Sequence, residues 1–499
     1  MVPPNVVTIV SDTLRYDHVG VNQRAGAWTP APTAFGRAAP PDRTMSSWVR
    51  TPNLDRFAAR AIVLDRAYCG SFPTIPARTD LFTGRYTFAT RGWTPLPVDD
   101  VTLPDLLPRH GYVTQLIADT VHLFRANFQR VFDGWDWQRG QAGDTIGAQR
   151  EPVRYPCDPR KLRSDPGRPI IEQEMKNVRE YRLERDWSPA RTIEAACDWL
   201  EAHRNDAPFY LHVDLFDPHE AWVAPPWYVD MYDPGYAGEA IISPDYAPCD
   251  YMTLRELQHA RALYAAEVTQ VDRWVGRLFD KLDDLGLYRT TAVLFFSDHG
   301  FLIGEHGLTG KHGIKPYHTW PFYTEVSHIV AMAAAPDLPQ GRRSGALLQW
   351  VDVLPTILEM AGLPHPTDVP LHGHSVLPYL QDPARETESG RAVAVTSGAL
   401  PVDPGEVVHT GVTDGRRLLI EAGPRRRAAL FDLQADPLQE RDVLEQHPQE
   451  AAQLHRAYLA LLEEIGVASA KLELRREMVT ASTEHTAVSI VRPDRPSGR

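Results

Sequence analysis

Cysteine is scarce in this chain: there are four among 499 residues, and no two of them form a C-x-x-C pair. Thiols this sparse exclude a disulfide-rich scaffold; one bridge would be compatible with the count, but a reducing compartment fits it better. No uncharged apolar stretch reaches the roughly 18 residues that a membrane-spanning helix needs. The start, MVPPNVVTIVSDTLRYD, lacks the basic region and the apolar run of a signal peptide. We therefore expect a soluble, cytoplasmic protein with no membrane partner.

Positive charge is also in short supply. The chain has 52 Lys and Arg against 65 Asp and Glu, which gives a formal net charge of −13. Binding to a phosphate backbone depends on clustered Lys and Arg, so nucleic acid is not an expected partner, although a local basic pocket is compatible with this charge. The length allows one large core and a smaller appended unit.

Four short apolar runs are each followed closely by acidic, hydroxyl or imidazole side chains. Such runs are typical of buried strands. Because helical patterns lie between them, the sequence predicts an α/β fold with a large mixed, mostly parallel sheet flanked by helices. A single Asp after a strand is usually a helix cap or a turn residue, but four such endings at the sheet edge where ligands bind favour a metal or anion site. The runs span residues 5–10, 113–118, 209–216 and 291–296, and the residues that follow include Asp12, Thr13, Asp119, Thr120, Asp217, His219, Asp298 and His299.

Three segments lie outside this pattern. Residues 140–187 show little apolar periodicity and are interpreted as a surface insertion, whereas residues 220–250 are rich in proline and aromatics, which is typical of loops at a substrate rim. After about residue 385, short strand patterns with a hairpin turn at Asp414-Gly415 precede a helical pattern. We predict a catalytic domain over 1–385, a small α+β subdomain over 386–475, and a tail or oligomerisation arm over 476–499, which is compatible with a homo-oligomer.

The stretch CGSFPTIPARTDLFTGR sets Thr74 close to two prolines and four residues before Arg78. Pro73 and Pro76 restrict the backbone around it, and a helix here would put the arginine side chain beside the threonine. A hydroxyl that also binds a metal would be an activated nucleophile, and the arginine would stabilise the charge that develops. The alternative is a capped helix start with a surface arginine, and the segment alone favours neither interpretation.

Several motifs, taken in order, resemble those of the sulfatases, a family of the alkaline phosphatase superfamily. The most specific are TPNLDRFAARAIVLDRAYCGSFPTIPARTDLFTGR and SDHGFLIGEHGLTGKHG, and the similarity extends to NVVTIVSDTLRYDHVG, DPHEAW, VDVLPTILEMAGL and LFDLQADPLQERDVL. The resemblance covers most of the chain. It implies an alkaline phosphatase-like fold, a divalent metal ion, and hydrolysis of a small-molecule phosphoric or sulfuric ester.

The chain departs from the family pattern at the nucleophile. The family has Cys or Ser there, followed by any residue, Pro, Ser and Arg, whereas this chain reads Thr74-Ile75-Pro76-Ala77-Arg78. Typical members convert the nucleophile to formylglycine, which releases sulfate by elimination, and threonine cannot be converted. Several superfamily branches that act on phosphorus use Thr directly. The resemblance thus implies hydrolysis of phosphate diesters or of phosphonate or phosphate monoesters, through a covalent intermediate on Thr74 and without formylglycine.

The metal set implied by the resemblance is also altered. Typical members hold calcium with an Asp-Asp pair and an Asp-Asn pair, whereas this chain has Asp12-Thr13 and Asp298-His299. One carboxylate fewer and one available imidazole favour manganese or zinc over calcium. We expect one divalent ion, held by Asp12, Thr74, Asp298 and His299.

Further roles follow from position in the family motifs. Arg78 would stabilise the charge on the nucleophile or the ester, Lys311 in GLTGKHG would contact the ester oxygens, and His219 would contact them or protonate the leaving group. Other substrate contacts are expected from Thr13, Thr120, His122 and His306. Thr120 or His122 would replace a family lysine that is absent from ADTVHL, and a structural role for His306 is equally compatible with its motif.

Three alternatives stay open. A sulfatase could use Thr74 directly, without the elimination route. A transferase could pass the phosphoryl group to an acceptor, but the family branch that does so has membrane-spanning helices. A non-catalytic protein on a decayed sulfatase scaffold would fit Ala77, but buried charges without use are costly to keep.

Overall fold

Strands and helices alternate along most of the chain, as the sequence predicts. The computed structural model describes residues 4–23, 49–146, 152–164, 167–206, 208–311, 320–424 and 426–481. The strands are β1 (Asn5–Ser11), β2 (Ile62–Tyr68), β3 (Val113–Thr120), β4 (Gly134–Gln141), β5 (Phe209–Leu215), β6 (Ala247–Pro248), β7 (Thr291–Ser297), β8 (Leu302–Ile303), β9 (Leu308–Gly310), β10 (Ala331–Ala334), β11 (Arg342–Gln349), β12 (Ala394–Ser397), β13 (Thr410–Thr413), β14 (Arg417–Glu421) and β15 (Ala429–Asp432). The α-helices are α1 (Pro52–Ala58), α2 (Thr74–Thr83), α3 (Leu103–Leu106), α4 (Val121–Arg125), α5 (Arg168–Val178), α6 (Ser188–His203), α7 (Pro226–Val229), α8 (Leu254–Asp284), α9 (Thr324–Ser327), α10 (Val353–Met360), α11 (Leu377–Gln381), α12 (Pro448–Glu464) and α13 (Ser469–Glu473).

The central sheet has eight strands in the order β11-β2-β10-β7-β1-β5-β3-β4. β10 is antiparallel to both of its neighbours, and the other adjacent strands are parallel. The strands β1, β5 and β7 at its centre are buried along their whole length, which explains why they read as continuous apolar runs rather than alternating ones. The predicted mixed, mostly parallel sheet flanked by helices is therefore confirmed.

The long helical pattern near residue 260 is a single helix, α8, of 31 residues. It begins with a reciprocal cap, because the Thr253 side chain accepts a hydrogen bond from the backbone N–H of Glu256 (3.2 Å) and the Glu256 carboxylate accepts one from the backbone N–H of Thr253 (2.8 Å). Its buried face packs against α1, α6 and α7. No helix within the described ranges is both long enough and apolar enough to cross a bilayer.

A second, antiparallel sheet runs in the order β12-β13-β14-β15 and packs against α12. It is joined to the main sheet close to α2, since the backbone N–H of Ser397 donates to the carbonyl of Gly70 (3.1 Å). The predicted C-terminal α+β unit thus exists as a fold element, while the boundaries at 385 and 475 stay predictions. From residue 482 onward the predicted tail or arm lies outside the described residues. The four cysteines are buried free thiols.

Candidate active site

The carboxyl ends of β1, β5 and β7 lie side by side at one edge of the central sheet. In the register of the sheet, Ser11 stands opposite Leu215 on one side and Ser297 on the other. Asp12 and Asp298 come directly after two of these paired residues. Parallel pairing therefore brings together two carboxylates that are far apart along the chain.

These two carboxylates and the His299 imidazole form a cluster that suits a cation. Their ligand atoms lie within 4.8 Å of one another, and all three side chains are fully buried. Within the described residues, Nε2 of His299 has no hydrogen-bond partner, and Oδ2 of Asp12 has none apart from its ion-pair contact with Arg78 (3.2 Å). Buried polar atoms without a partner are costly, and a divalent ion between them would remove that cost. Two carboxylates and an imidazole are donors that manganese and zinc accept.

Arg78 connects this cluster to the interior of the sheet. Its Nε and Nη2 donate to the two carboxylate oxygens of Asp214 on β5 (3.0 and 2.9 Å), while Nη1 lies 3.2 Å from Oδ2 of Asp12 and contacts the Asp298 carboxylate. The side chain is 1% exposed, so the interpretation as a surface arginine is wrong. Burial alone would lower the pKa of Arg78, but the three carboxylates more than offset this and hold it well above its usual range.

Thr74 is buried and is the first residue of α2, one helical turn before Arg78. Pro76 fits the first turn of this helix because the first turn has no intrahelical acceptor for its missing N–H. The Asp80 carboxylate accepts hydrogen bonds from the backbone N–H groups of Ser71 and Thr87 (both 2.7 Å), which ties the segments on either side of α2 to the helix. The nucleophile candidate is thus held on a fixed helix end at the sheet edge that carries the cluster.

Lys311 and Thr13 extend the site from Asp12. The ammonium group of Lys311 donates to Oγ1 of Thr13 (3.1 Å), and that hydroxyl donates to Oδ1 of Asp12 (2.7 Å). Thr13 has φ of 63°, a left-handed conformation that is uncommon for a β-branched residue. Its backbone N–H donates to Oδ1 of Asp298 (2.8 Å). Burial lowers the pKa of Lys311, and the Asp12 carboxylate opposes that shift.

His219 and His122 belong to one stack of rings. The His219 ring stacks on Phe216 (4.1 Å between centroids), His122 packs edge-on against the same Phe216 (5.8 Å), and Trp93 packs edge-on against His122 (5.2 Å). Nδ1 of His219 lies 2.6 Å from the carbonyl oxygen of Glu220, so this nitrogen carries the proton and Nε2 is left as an acceptor. Burial and then the Lys311 charge lower the pKa of His219 well below its usual range, and burial lowers that of His122 to about 4.

The other two predicted substrate contacts have identifiable local partners. Thr120 ends β3, and its hydroxyl accepts a hydrogen bond from the backbone N–H of His122 (3.3 Å), which caps α4. The His306 ring stacks on Tyr323 (3.5 Å between centroids), and its Nε2 lies 3.5 Å from a carboxylate oxygen of Glu325. The structure therefore gives both residues packing or capping contacts, and their contact with substrate stays a prediction.

Two charged residues of the site were missed by the sequence reasoning. Asp214 holds Arg78 but lies inside the apolar run that predicts β5, where an acidic residue in a buried strand was the available signal. Arg163, from the insertion, donates to Oε1 of Glu220 (3.0 Å) beside His219. Nothing in the spacing or composition of residues 140–187 indicates that one of their arginines reaches the site.

A group of buried carboxyl residues surrounds Asp217, two positions before His219. The Asp217 and Glu267 side chains are both buried, and their negative charges repel each other. Gln141 Nε2 donates to Oδ2 of Asp217 (2.6 Å) and the backbone N–H of Val223 donates to Oε1 of Glu267 (2.6 Å). Burial raises the pKa of Glu267 to about 7 and, with repulsion from Glu267, raises that of Asp217 well above its usual range.

This pair predicts a pH-dependent contribution to stability. Because the pKa of Glu267 is raised on folding from 4.5 to about 7, its proton stabilises the fold fully below the lower value, and that contribution is lost as the pH rises to the upper one. In Glu267→Gln this titrating carboxyl is replaced by an amide that stays neutral at every pH. Between about pH 5 and pH 7 we expect the free energy of unfolding to fall by about 1 to 2 kcal/mol more in the wild type than in the variant. Urea unfolding across this range measures the difference, and parallel profiles would contradict it.

Comparison with known proteins places this geometry in context. A family model described as sulfatase matches residues 4–363. Arylsulfatase K from Homo sapiens is 25% identical over 366 residues, which cover 67% of this chain and 62% of that protein. The multifunctional alkaline phosphatase superfamily protein PehA from Trinickia caryophylli is 25% identical over 447 residues, which cover 77% of this chain and 78% of that protein. The chain thus spans about three fifths of the length of the arylsulfatase K relatives that it matches.

A solved structure shares the fold. The phosphonate monoester hydrolase of Agrobacterium radiobacter superposes with a TM-score of 0.67 at 20% sequence identity, and the match covers 93% of this chain and 96% of that one. At this identity the likeness shows the alkaline phosphatase-like fold and nothing finer.

Proposed function

Because the chain belongs to the sulfatase family, we propose that it is a metal-dependent ester hydrolase that acts on phosphate diesters or on phosphonate or phosphate monoesters through Thr74. The observation that carries the proposal is the threonine itself, which stands at the formylglycine position, buried at the start of α2 and one turn before Arg78. A threonine ester has no second hydroxyl from which sulfate could be eliminated. Similar proteins named as a phosphonate monoester hydrolase and as the multifunctional PehA also support a phosphorus ester as the substrate.

A divalent ion fits the buried cluster. Asp12, Asp298 and His299 would hold it through atoms that include the two without hydrogen-bond partners, and Thr74 would supply a hydroxyl ligand. When bound, such an ion lowers the pKa of a coordinated hydroxyl and withdraws charge from the ester. We propose manganese or zinc rather than calcium, because an imidazole replaces an oxygen donor.

In the first step, Oγ1 of Thr74 attacks phosphorus and the bond from phosphorus to the leaving oxygen breaks. The proton of the Thr74 hydroxyl is released to water. Nε2 of His219 takes up a proton from solvent, which it is free to accept because Nδ1 donates to the Glu220 carbonyl. The imidazole then gives this proton to the departing alcohol and returns to its neutral form. The lowered pKa of His219 favours that neutral form at the start of the cycle.

In the second step, water attacks the phosphorus of the Thr74 ester. Its proton goes to Nε2 of His219, which later returns it to solvent. The bond from phosphorus to Oγ1 breaks, and the Thr74 oxygen takes up a proton from water. Lys311 and Arg78 hold the charge that develops on the ester and nucleophile oxygens during both steps. Arg78 is oriented for this by the two hydrogen bonds that it donates to Asp214.

The alternatives make different use of the same residues. A sulfatase without formylglycine would use Thr74 on a sulfate ester, and relatives named arylsulfatase K keep that option open. A non-catalytic scaffold would need neither the metal nor Thr74. Arg78, Lys311 and three carboxylates are buried together. This argues against a non-catalytic scaffold, because buried charges without a use are costly.

The test is an activity panel on the full chain, stripped with a chelator and reloaded separately with manganese, zinc or calcium. Four substrates are compared: 4-nitrophenyl sulfate, 4-nitrophenyl phosphate, bis(4-nitrophenyl) phosphate and 4-nitrophenyl phenylphosphonate. We expect a phosphorus ester to be turned over with manganese or zinc, and no turnover in the stripped protein. Dominant sulfate turnover would support the sulfatase alternative, and failure to bind metal or turn over any ester would support the non-catalytic one.

A further inference from the structure

Arg163 is a buried cation near the site for which the reaction just described has no use. Its side chain is 15% exposed, and Nη1 donates to Oε1 of Glu220 (3.0 Å). The guanidinium also lies over the ring of Tyr246 (4.5 Å to the centroid), whose hydroxyl donates to the same Glu220 carboxylate (2.6 Å). The group is therefore fixed by a charged partner and by an aromatic face.

The backbone that carries Arg163 is held equally firmly. Its N–H donates to the carbonyl of Ser243 (2.9 Å), and the preceding Leu162 forms a bridge with Pro244. The Lys161 ammonium binds the carboxylates of Glu239 and Glu256 (2.5 and 2.6 Å). This part of the insertion is thus fastened to the proline- and aromatic-rich loop and to the start of α8, so Arg163 is preorganised rather than attached to a loose loop.

Arg163 is linked to His219, the residue to which protonation of the departing alcohol is assigned. Its partner Glu220 follows His219 in the chain, and the Glu220 carbonyl accepts the hydrogen bond from His219 Nδ1. The Arg163 charge also contributes, after burial and Lys311, to the lowered pKa of both His219 and His122. The reacting phosphorus is assigned to the cluster that Arg78 and Lys311 contact, and the Arg163 charge also lowers the pKa of Lys311.

The guanidinium retains donors for a ligand. An arginine has five N–H groups in a planar fork that matches carboxylate, sulfate and phosphate oxygens. Across the residues that the structure describes, Glu220 is the one side chain that accepts a hydrogen bond from it. The remaining donors belong to a group that is still 15% exposed. A rigid, partly open guanidinium beside the leaving-group histidine is a site for an oxyanion.

We propose that Arg163 is a specificity-determining residue that binds a second anionic group, carried by the alcohol portion of the ester. This rests on the proposed function and names its substrate class: esters of alcohols or phenols that bear a carboxylate, sulfate or phosphate beside the scissile bond. No covalent step is added, since Arg163 only holds the anion.

A binding experiment tests this without relying on turnover. Manganese-loaded Thr74→Ala protein is titrated by calorimetry with phenyl phosphate and with its 2-, 3- and 4-carboxy derivatives, in which the carboxylate stands on the phenol portion of the ester. We expect at least one carboxylated ligand to bind about tenfold more tightly than the parent, an effect of about 1.4 kcal/mol. Adding Arg163→Met should reduce that preference to less than about threefold, and Arg163→Lys should retain part of it, as a charge without the fork does.

Arg160→Met is the matched control, because Arg160 lies three residues before Arg163 in the same segment and its side chain is 90% exposed. The preference should be unchanged in this variant. Since Arg163→Met leaves Glu220 buried without its cation, the double variant Arg163→Met/Glu220→Gln removes both charges and should lose the preference as well. The proposal is overturned if no carboxylated ligand binds more tightly than the parent, or if neither the parent nor its carboxylated derivatives bind. It is also overturned if the preference survives in both Arg163→Met and the double variant Arg163→Met/Glu220→Gln.

The calorimetry and the activity panel on the four nitrophenyl esters together separate the two proposals. If the carboxylate preference depends on Arg163 but no ester is hydrolysed, the proposed function fails and the anion site stands. If phosphorus esters are hydrolysed but the preference is absent, the hydrolase stands and the assignment of Arg163 is wrong.

Discussion

Thr74→Ala is expected to lower kcat/KM for the preferred phosphorus ester by roughly 10³-fold or more, the scale seen when a covalent nucleophile is removed. The reason is that alanine has no hydroxyl with which to form the covalent ester at the start of α2. Thr74→Ser should retain part of the activity, since the serine hydroxyl can form the same ester. Steady-state kinetics on the metal-loaded full chain measure both effects.

The covalent step gives this prediction a second readout. Intact-mass analysis after acid quenching during turnover should show the wild type with the mass of one bound phosphoryl ester, on a peptide that contains Thr74, and the alanine variant without it. Thr79→Ala is the matched control, because Thr79 is also a buried threonine of α2 and its hydroxyl only donates to the carbonyl of Ile75 (2.9 Å). An active Thr74→Ala protein, or an adduct on another residue, would show that the nucleophile is misassigned.

Asp214→Ala is expected to have a large effect on both stability and activity. The substitution leaves the Arg78 guanidinium, which is 1% exposed, without the carboxylate that accepts two of its hydrogen bonds. Removing one partner from a buried ion pair costs about 3 to 5 kcal/mol. Because Arg78 also contacts Asp12 and Asp298, it would shift within the site, and a displacement of that kind lowers kcat/KM by about 100-fold.

A matched control separates these two effects. Asp272 is also buried, and its carboxylate accepts hydrogen bonds from the backbone N–H groups of Asn53 and Leu54 (3.1 and 2.7 Å) at the start of α1. Asp272→Ala should therefore unfold more easily yet keep kcat/KM per folded molecule. Urea unfolding and kinetics at a temperature where every variant is folded make the comparison. Equal activity of the two variants would show that Asp214 has only a structural role.

The sequence predicts the sheet and the metal cluster because both depend on local patterns. Each central strand is a continuous apolar run, and each ends in the residues that the parallel register brings together. Asp12 and Asp298 could be paired in advance for that reason. The burial of Arg78 could not be predicted in this way, because it depends on the strand pairing that sets Asp214 opposite α2.

The insertion at residues 140–187 was predicted less well than the central sheet. Residues 140–187 were interpreted as an excursion without periodicity, yet they contain the helix α5. Its buried face includes Glu174 and Asn177, and the Asn177 amide donates to the carbonyls of Gly140 (2.7 Å) and Asp144 (2.6 Å). Its apolar residues Ile171, Met175 and Val178 keep a helical spacing, so a periodic signal for α5 was present in the insertion. The position of Arg163 depends instead on contacts with Glu220, Ser243 and Tyr246, which are distant in the chain and which no local pattern indicates.

The fastening of the insertion to the loop at residues 239–248 has a consequence for protein engineering. Lys161, Leu162 and Arg163 each make their contact with that loop or with α8, so neither segment keeps its shape when it is exchanged alone. A chimera intended to change the alcohol that is recognised must move residues 152–164 and 239–248 together. The sheet edge with Asp12, Thr74 and Asp298 can then keep its sequence. Such a chimera would change the residues proposed to bind the alcohol and retain those proposed to carry out the reaction.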